Sequence, residues 1–300
     1  MRVVVTGSSG LIGTALTDEL RRRGDEVVRL VRREPGPGEV PWDPARGEID
    51  AAALEGADAV VHLAGVGIGD SRWTEAHKRA VLDSRVQGTT LVARTMASMA
   101  DKPRVLVSAS AIGYYGDRGD DVLTEESRAG TGFLTDVVRQ WEGATAAAED
   151  AGVRVAHIRS GLVLSPAGGA LKQMLLPFRL GAGGRIGSGR QWWSWIAIDD
   201  EVGAILHVIG ADALRGPVNL TAPNPVTNAE FTKTLGRVLG RPTLLPTPTL
   251  ALKVLFGGDA VEEMFLGGQR VVPAMLQASE YEFRHSALEP ALRTLLGRAA

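Results

Sequence analysis

Cysteine is absent from this 300-residue chain. Its absence excludes disulfide bonds, cysteine nucleophiles and thiolate metal sites. The chain has five histidines, and they are scattered without a metal-ligand spacing such as HxxxH, so we predict no metal site. No apolar run approaches the roughly 18 residues that a membrane span needs.

The chain also lacks an excess of positive or negative charge. The 33 basic and 35 acidic residues leave a formal net charge of −2, so nothing indicates a nucleic acid or an anionic membrane as partner. An apolar strand predicted from residue 2 leaves no room for a signal peptide, and we expect a cytoplasmic protein.

Strand and helix patterns alternate through the first 165 residues and predict a parallel sheet covered by helices on both faces. Residues 34–47, which are rich in proline and glycine, are expected to form a loop. We predict strands at 2–6, 26–32, 58–64, 104–108, 153–159 and 217–220, and helices at 10–23, 73–99, 132–150 and 199–208. The predicted fold is α/β, a Rossmann-type doubly wound parallel sheet.

A smaller C-terminal α/β lobe is expected to complete the fold and to bind substrate. We place the sheet domain at residues 1–223, with 167–198 contributing to the lobe, and the lobe itself at 224–300. The sequence Thr227-Asn228-Ala229-Glu230 has the capping-box pattern that begins a helix.

Three spaced glycines, Gly7, Gly10 and Gly13, directly follow the apolar run Val3–Val5. A helix with Leu16 on its apolar face follows in turn. A strand, a glycine turn and a helix N-terminus together form a site for a dinucleotide pyrophosphate, because the backbone approaches closely and the helix end offers free N–H groups. The cofactor-binding residues predicted in this loop are Gly7, Ser9, Gly10, Leu11, Ile12 and Gly13.

The second predicted strand ends in Arg32 and Arg33, and Arg32 lies 19 residues after Gly13. A site for NAD usually carries an acidic residue at about this spacing, whereas arginine suits the 2′-phosphate of NADP. We therefore predict NADP(H) in preference to NAD(H), with a solvated basic pair as the alternative.

Several segments together resemble one protein family. In chain order they are Val5-Thr6-Gly7 with the glycine loop, Asp58 to Gly65, Val107 to Ala111 and Trp195 to Asp200. They are similar to landmarks of the extended short-chain dehydrogenase/reductases, the NAD(P)-dependent epimerase/dehydratase group. A finer resemblance is to the atypical branch often labelled "epimerase family protein" or SulA-related, and it rests on Ser110 to Gly116, Trp141-Glu142, Arg159 to Leu164, Gly187 to Gln191 and Thr227 to Phe231.

The resemblance implies roles for individual residues. Ser110 matches the catalytic serine or threonine of the family, and Asp58 is expected near the adenine end of the cofactor. Ser84 takes the place of an asparagine that orders the central helix. The cofactor-contacting set implied by the resemblance is Leu63, Ala64, Gly65, Ser84, Ser108, Ser160 and Gly161.

The chain departs from the family at its acid/base pair. The family uses Tyr-x-x-x-Lys, in which the lysine depresses the tyrosine pKa and holds the cofactor ribose. No such pair exists in this sequence, and alignment on Trp141-Glu142 puts Leu134 and Val138 at the two positions. Neither side chain titrates.

Three functions remain open from the sequence. The first is an NADP-dependent oxidoreductase or epimerase-like enzyme with a rearranged acid/base, in which Ser110 and Tyr114 are catalytic and Tyr115, Arg190 and Trp195 contact a small carbonyl or sugar-nucleotide-like substrate. The second is a non-catalytic NADPH-binding sensor, and the third is a scaffold stabilised by a bound nucleotide. The chain is expected to be a monomer or a homodimer.

Overall fold

The computed structural model describes residues 1–298, and a large sheet organises it. The strands are β1 (Arg2–Thr6), β2 (Glu26–Val31), β3 (Glu39–Asp43), β4 (Glu48–Ile49), β5 (Ala59–His62), β6 (Val105–Ala111), β7 (Val122–Leu123), β8 (Arg154–Ser160), β9 (Leu162–Leu164), β10 (Trp192–Trp193), β11 (Trp195–Ala197), β12 (Gly216–Leu220), β13 (Val226–Thr227) and β14 (Arg270–Val271). Eight of them form the central sheet in the order β12-β8-β6-β5-β1-β2-β3-β4. Neighbours pair in parallel except at β3 and β4, which are antiparallel.

Helices cover both faces of this sheet, as the alternation predicts. They are α1 (Leu11–Arg22), α2 (Glu75–Ser98), α3 (Phe133–Gly143), α4 (Ala146–Asp150), α5 (Gly169–Arg179), α6 (Ile198–Gly210), α7 (Asn228–Leu239), α8 (Thr249–Phe256), α9 (Gly258–Val261), α10 (Ala274–Ala278) and α11 (Leu288–Leu295). One core lies between the sheet and α1 with α6, and a second lies between the sheet and α2 with α4. Because both faces are covered, Val3, Val4 and Val5 of β1 are fully buried. No helix within residues 1–298 is both long and apolar enough to cross a membrane.

Two predictions of secondary structure were wrong. Residues 34–47 are not all loop, because Glu39–Asp43 forms β3 and pairs in parallel with β2. The predicted helix 132–150 is two helices. The break follows Gly143, where the Thr145 hydroxyl donates to the Glu142 carbonyl oxygen at 2.7 Å and so competes with the helical ladder.

A third core joins α5, α7 and α11 in the smaller lobe. Its helix α7 begins with the predicted capping box, in which Thr227 and Glu230 satisfy each other's backbone N–H groups. Not all of residues 224–300 lie in this lobe. Strand β14 pairs with β7, and Leu276 packs into the core beneath α1 and α6. The division of the chain at 223/224 stays a prediction.

The strand order reverses between β1 and β5. From β1 the chain builds β2 and β3 on one side, and then crosses to β5, β6 and β8 on the other. Ligands of open α/β sheets bind in the crevice at the carboxyl ends of the strands at such a switch point. The loops after β1, β5, β6 and β8 meet at this edge.

Candidate functional site

The loop after β1 is built by glycines that allow close backbone approach. Gly7 has φ of +66°, and a Cβ atom there would lie 2.7 Å from the carbonyl carbon of Leu63. A Cβ atom on Gly13 would clash with the Gly7 carbonyl oxygen. Because Gly7 and Gly13 have no side chain, the backbone of the turn can pack closely on itself and on the end of β5.

Gly10 is less crowded than the other two glycines. A Cβ atom there would meet only the Gly7 carbonyl oxygen, at 3.3 Å. Gly10 is the N-cap of α1, no side chain caps the helix, and its first turn contains no acidic residue. Ser9 and Gly10 are exposed, and Leu11 and Ile12 are partly exposed. The free first-turn amides and the positive end of the helix dipole fit a phosphate group.

The loop after β5 is held beside the glycine turn. The Thr6 hydroxyl oxygen accepts hydrogen bonds from the Leu63 and Ala64 amides at 3.1 and 3.2 Å. The Ser84 hydroxyl of α2 accepts from the Val66 amide at 3.0 Å. The structure therefore brings Leu63–Gly65, Ser84 and the glycine turn together, with Ser84 acting on the loop that follows β5.

Arg32 and Arg33 have different environments at the end of β2. Both line a cavity of about 500 Å³. Arg33 donates to Glu39 at 2.6 Å, and this hydrogen bond lowers the pKa of the Glu39 carboxyl. Arg32 is exposed and forms no ion pair within the described chain. Arg32 is therefore the freer cation for a phosphate group.

Ser110 lies at the end of β6 in contact with a buried ion pair. Its hydroxyl donates to the Glu142 carboxylate of α3 at 2.6 Å. Arg159 of β8 holds the same carboxylate through two hydrogen bonds of 2.8 Å. Burial alone would raise the pKa of Glu142, but the hydrogen bonds and charge of Arg159 outweigh it and lower the pKa. Glu142 is therefore ionised at neutral pH.

Tyr114 packs on this ion pair from the side of the short helix Ile112–Tyr115. The Arg159 guanidinium carbon lies 3.5 Å from the centre of the Tyr114 ring, a cation–π contact. Tyr114 is half-buried, and its hydroxyl has no hydrogen-bond partner in residues 1–298. Ser110 and Tyr114 thus contact the same ion pair, and their catalytic roles stay a prediction.

Tyr115 is not placed to contact a substrate. It is fully buried. Its hydroxyl donates to the Asn219 side chain at 2.7 Å and accepts from Arg159 at 3.0 Å. Burial raises its pKa. Tyr115 therefore ties β8 and β12 to the loop after β6, and its predicted role in substrate binding is wrong.

Trp195 and Ser108 were also assigned wrongly. Trp195 is fully buried in the lobe core, and its indole N–H donates to the Asn224 carbonyl oxygen at 3.1 Å. Ser108 is fully buried in the middle of β6, so its side chain cannot reach a cofactor. Arg190 is exposed on the loop before β10, and its substrate role stays a prediction.

Ser160 and Gly161 lie where β8 turns into β9. A Cβ atom on Gly161 would lie 2.5 Å from the Ser194 carbonyl oxygen, so only glycine fits. The Ser160 hydroxyl donates a hydrogen bond to the Glu201 carboxyl group at 2.6 Å. Glu201 is fully buried, one of its carboxyl oxygens has no hydrogen-bond partner among residues 1–298, and burial raises its pKa to about 8. This buried acid behind the predicted cofactor site was not identified from the sequence.

A second cavity, of about 290 Å³, lies between the two parts of the chain and is the candidate substrate cleft. Leu134 lines it, together with Glu262, Glu263, Leu266, Gly267 and Gln269 from the C-terminal segment. Glu263 accepts hydrogen bonds from the Phe133 and Leu134 amides and so caps α3. Val138 is buried. Tyr114, Arg190 and Trp195 do not line this cavity.

Asp58 lies far from this edge. It precedes β5, and its carboxylate accepts from the Arg2 amide at 2.8 Å at the start of β1. These are the amino ends of parallel strands, so the expected contact with the adenine end of a cofactor is wrong.

Comparison with known proteins identifies the family of this chain. Residues 3–220 match the family model described as the NAD dependent epimerase/dehydratase family, and residues 247–295 match a domain of unknown function, DUF1731. The human epimerase family protein SDR39U1 is 40% identical, with 99% of this chain and 100% of that protein covered. An epimerase family protein of Mycobacterium bovis is 46% identical, with 97% and 96% covered.

Solved structures show the same fold. The crystal structure of human SDR39U1 with NADPH has a TM-score of 0.92 and 38% identity, and 100% of both chains is covered. A nucleoside-diphosphate sugar epimerase of Corynebacterium glutamicum has a TM-score of 0.82 and 41% identity, with 99% of this chain and 58% of that chain covered. The protein therefore belongs to the NAD dependent epimerase/dehydratase family.

Proposed function

We propose that this protein is an NADP(H)-dependent oxidoreductase or epimerase-like enzyme that acts on a small carbonyl or sugar-nucleotide-like substrate. The observation that carries the proposal is Ser110, which lies at the carboxyl edge of the sheet and donates to Glu142, itself held by Arg159. The Glu142–Arg159 ion pair contacts Ser110 and Tyr114, the two side chains predicted from the sequence to be catalytic.

Three observations support binding of NADP(H). The uncapped helix end at Gly10 fits a pyrophosphate. Arg32 is an exposed cation with no ion pair in the described part of the chain, and it lies beside a cavity large enough for an adenosine phosphate. The human relative, of similar fold throughout, was crystallised with NADPH. When bound, the cofactor supplies or accepts the hydride.

The protein residues handle the proton. In carbonyl reduction the hydride goes to the carbonyl carbon, and the carbonyl oxygen takes a proton. The Ser110 proton is held by ionised Glu142, so the Ser110 oxygen is left to accept a hydrogen bond from a substrate hydroxyl. The Tyr114 hydroxyl, which has no acceptor in residues 1–298, is the proton donor in our proposal. Solvent then returns the proton to Tyr114.

Two variants test these roles. Ser110→Ala and Tyr114→Phe should each lower turnover by about 10²- to 10⁴-fold, the usual contribution of a positioned acid or base. NADPH affinity should stay nearly unchanged, because neither side chain belongs to the phosphate site. Hydride transfer is followed by NADPH absorbance across carbonyl compounds and sugar nucleotides, with exposed Ser98→Ala as control. Full activity in both variants would show that the proton comes from another group.

A second function, a non-catalytic NADPH-binding sensor, is favoured by one observation. Leu134 and Val138 stand where the family has its tyrosine and lysine, and neither titrates. This alternative predicts no hydride transfer with any substrate in the panel, and a partner protein whose affinity changes when NADPH binds. Detection of a product by mass spectrometry would exclude it.

A further inference from the structure

The chain before and within α8 exposes large apolar side chains that nothing in residues 1–298 covers. Five of them are exposed over 62 to 89% of their surface, and they are Leu244, Leu245, Leu250, Val254 and Leu255. Helix α8 has no buried residue. Single exposed leucines are common, but a cluster of this kind marks a site where a protein meets a membrane or another protein.

Helix α5 adds two leucines to this cluster. Its inward face carries Leu171, Leu175 and Phe178, which are buried in the core of the smaller lobe. Leu176 and the C-cap residue Leu180, four positions apart on the outward face, are 66 and 74% exposed. The outward face of such a helix is normally polar, so packing within this chain does not explain them. We call these two leucines and the five side chains above the apolar surface. It holds seven of the nine large apolar side chains that are exposed within residues 1–298.

Hydrogen bonds bring the two parts of the apolar surface together. The Arg241 Nε donates to the Arg179 carbonyl oxygen at 2.8 Å. The Thr247 amide donates to the Arg185 carbonyl oxygen, also at 2.8 Å. The loop that carries the first two leucines therefore runs beside the end of α5.

The same two stretches of chain carry positive charge only. Residues 161–198 contain four basic and no acidic residues, and so do residues 231–258. Lys172, Arg179 and Arg241 are exposed and form no ion pair within the described chain. The net charge of −2 for the whole chain hides this separation, because the acidic residues lie elsewhere in the sequence.

Exposed leucines beside unpaired cations match the chemistry of an anionic bilayer surface. Apolar side chains insert at the boundary between headgroups and acyl chains, and lysine and arginine are attracted to anionic lipids. A side chain that is nine-tenths exposed, as Leu244 is, projects from the surface. A protein partner would need a matching groove for it, whereas a fluid bilayer needs none.

We infer that the apolar surface docks on an anionic lipid bilayer, with its leucines inserted and Lys172, Arg179 and Arg241 against the lipid headgroups. The inference does not depend on the proposed function. The docked surface adjoins the candidate substrate cleft, because Lys253 of α8 donates at 2.9 Å to Glu262, which lines that cleft. Docking therefore brings the cleft close to the bilayer.

Vesicle co-sedimentation of the full chain tests the inference. The wild type should bind vesicles made of equal amounts of phosphatidylcholine and phosphatidylglycerol, bind phosphatidylcholine vesicles more weakly, and lose affinity as salt is added. Leu244→Ser/Leu245→Ser should lower the affinity for the mixed vesicles at least about tenfold. Lys172→Gln/Arg179→Gln should lower it about fivefold for each charge removed.

Two matched controls lie outside the apolar surface. Val122→Ser removes an exposed apolar side chain from β7, and Arg94→Gln removes an exposed charge from α2. Both should bind the mixed vesicles as the wild type does. Since all the substituted side chains are exposed, the unfolding midpoint of every variant should stay close to that of the wild type, which shows that lost binding is not lost folding.

Three results would overturn the inference. A wild type that does not sediment with the mixed vesicles would do so, and would favour an acidic protein partner for this surface. Equal binding by the wild type and Leu244→Ser/Leu245→Ser would show that another surface meets the lipid. A wild-type dimer that ignores vesicles and becomes monomeric in the leucine variant, as measured by analytical ultracentrifugation, would identify the apolar surface as an interface between two copies of the chain.

Discussion

Glu201 makes the stability of this protein depend on pH in a calculable way. The carboxyl is fully buried, and its pKa in the folded protein is about 8, against an ordinary value of 4.5. Between these values the folded protein keeps a proton that the unfolded chain has lost. Since the folded state then binds more protons, the free energy of unfolding falls as pH rises. Each pKa unit corresponds to 1.36 kcal/mol, so the full loss between pH 4.5 and 8 is about 5 kcal/mol.

The variant Glu201→Gln isolates this contribution. The amide retains a hydrogen-bonding oxygen for the Ser160 hydroxyl but cannot ionise. Relative to wild type, the variant should gain stability by about 1.4 kcal/mol per pH unit from pH 5 to 8. Urea unfolding at pH 5, 6, 7 and 8 measures this difference, and the exposed Glu282→Gln is the control.

The test is the difference in free energy of unfolding between wild type and Glu201→Gln, because other titrating groups contribute equally to both proteins. A constant difference from pH 5 to 8 would refute the reasoning, since Glu201 would then ionise in the folded protein as it does in the unfolded chain. A pH dependence equal in Glu282→Gln and Glu201→Gln would refute it as well.

The cofactor site supplies two further predictions. Arg32→Ala should lower NADPH affinity about ten- to a hundredfold and leave NADH affinity unchanged, with a smaller effect for Arg33→Ala, whose cation is held by Glu39; calorimetry that finds equal NADPH affinity in Arg32→Ala and wild type would contradict this. Gly10→Val should abolish NADPH binding with little change in the unfolding midpoint, whereas Gly13→Val should lower the midpoint itself, because its side chain would clash within the turn. A folded Gly10→Val protein that binds NADPH normally would show that this loop is only a turn.

The contrast between Gly10 and Gly13 illustrates what spacing can and cannot predict. The spacing locates the turn because Val3–Val5, the glycines and the helical pattern are neighbours in sequence. It treats the glycines alike, and both substitutions are then expected to spare the fold. Only the structure shows that an added Cβ atom would lie 2.2 Å from the Gly7 carbonyl oxygen at Gly13 but 3.3 Å from it at Gly10.

Strand β3 was missed because local composition was overridden by burial. Prolines and glycines in 34–47 favour loop, yet Trp42 within this stretch is 5% exposed and packs edge-on to His62. Pairing with β2 also lets Glu39 hold Arg29 and Arg33. The burial of Trp42 and the ion pairs of Glu39 depend on residues outside the segment, so the local sequence pattern cannot predict them.

The aromatic residues show the same limit. Tyr115 was assigned to a cleft because it lies on the loop after a predicted strand, and Trp195 because it follows the glycine-rich segment before the smaller lobe. In the structure Asn219 satisfies the Tyr115 hydroxyl, and the Asn224 carbonyl satisfies the Trp195 indole. Both partners are distant in sequence, and a buried aromatic whose polar tip is satisfied cannot be told from a binding residue by its sequence context.

The Glu142–Arg159 pair bears on the choice among enzyme, sensor and scaffold. Removing two charges from water costs several kcal/mol per ion, and well-packed apolar residues of similar volume are often neutral or stabilising replacements. Stability therefore gives no reason for a buried ion pair at the carboxyl edge of the sheet. The Glu142 carboxylate accepts a hydrogen bond from Ser110, and the Arg159 guanidinium stacks on Tyr114. These are the two side chains proposed to meet the substrate. A scaffold or a sensor of NADPH requires neither contact, whereas an enzyme that lacks the tyrosine–lysine pair needs other groups to hold and orient its proton. The position of this pair favours the enzyme.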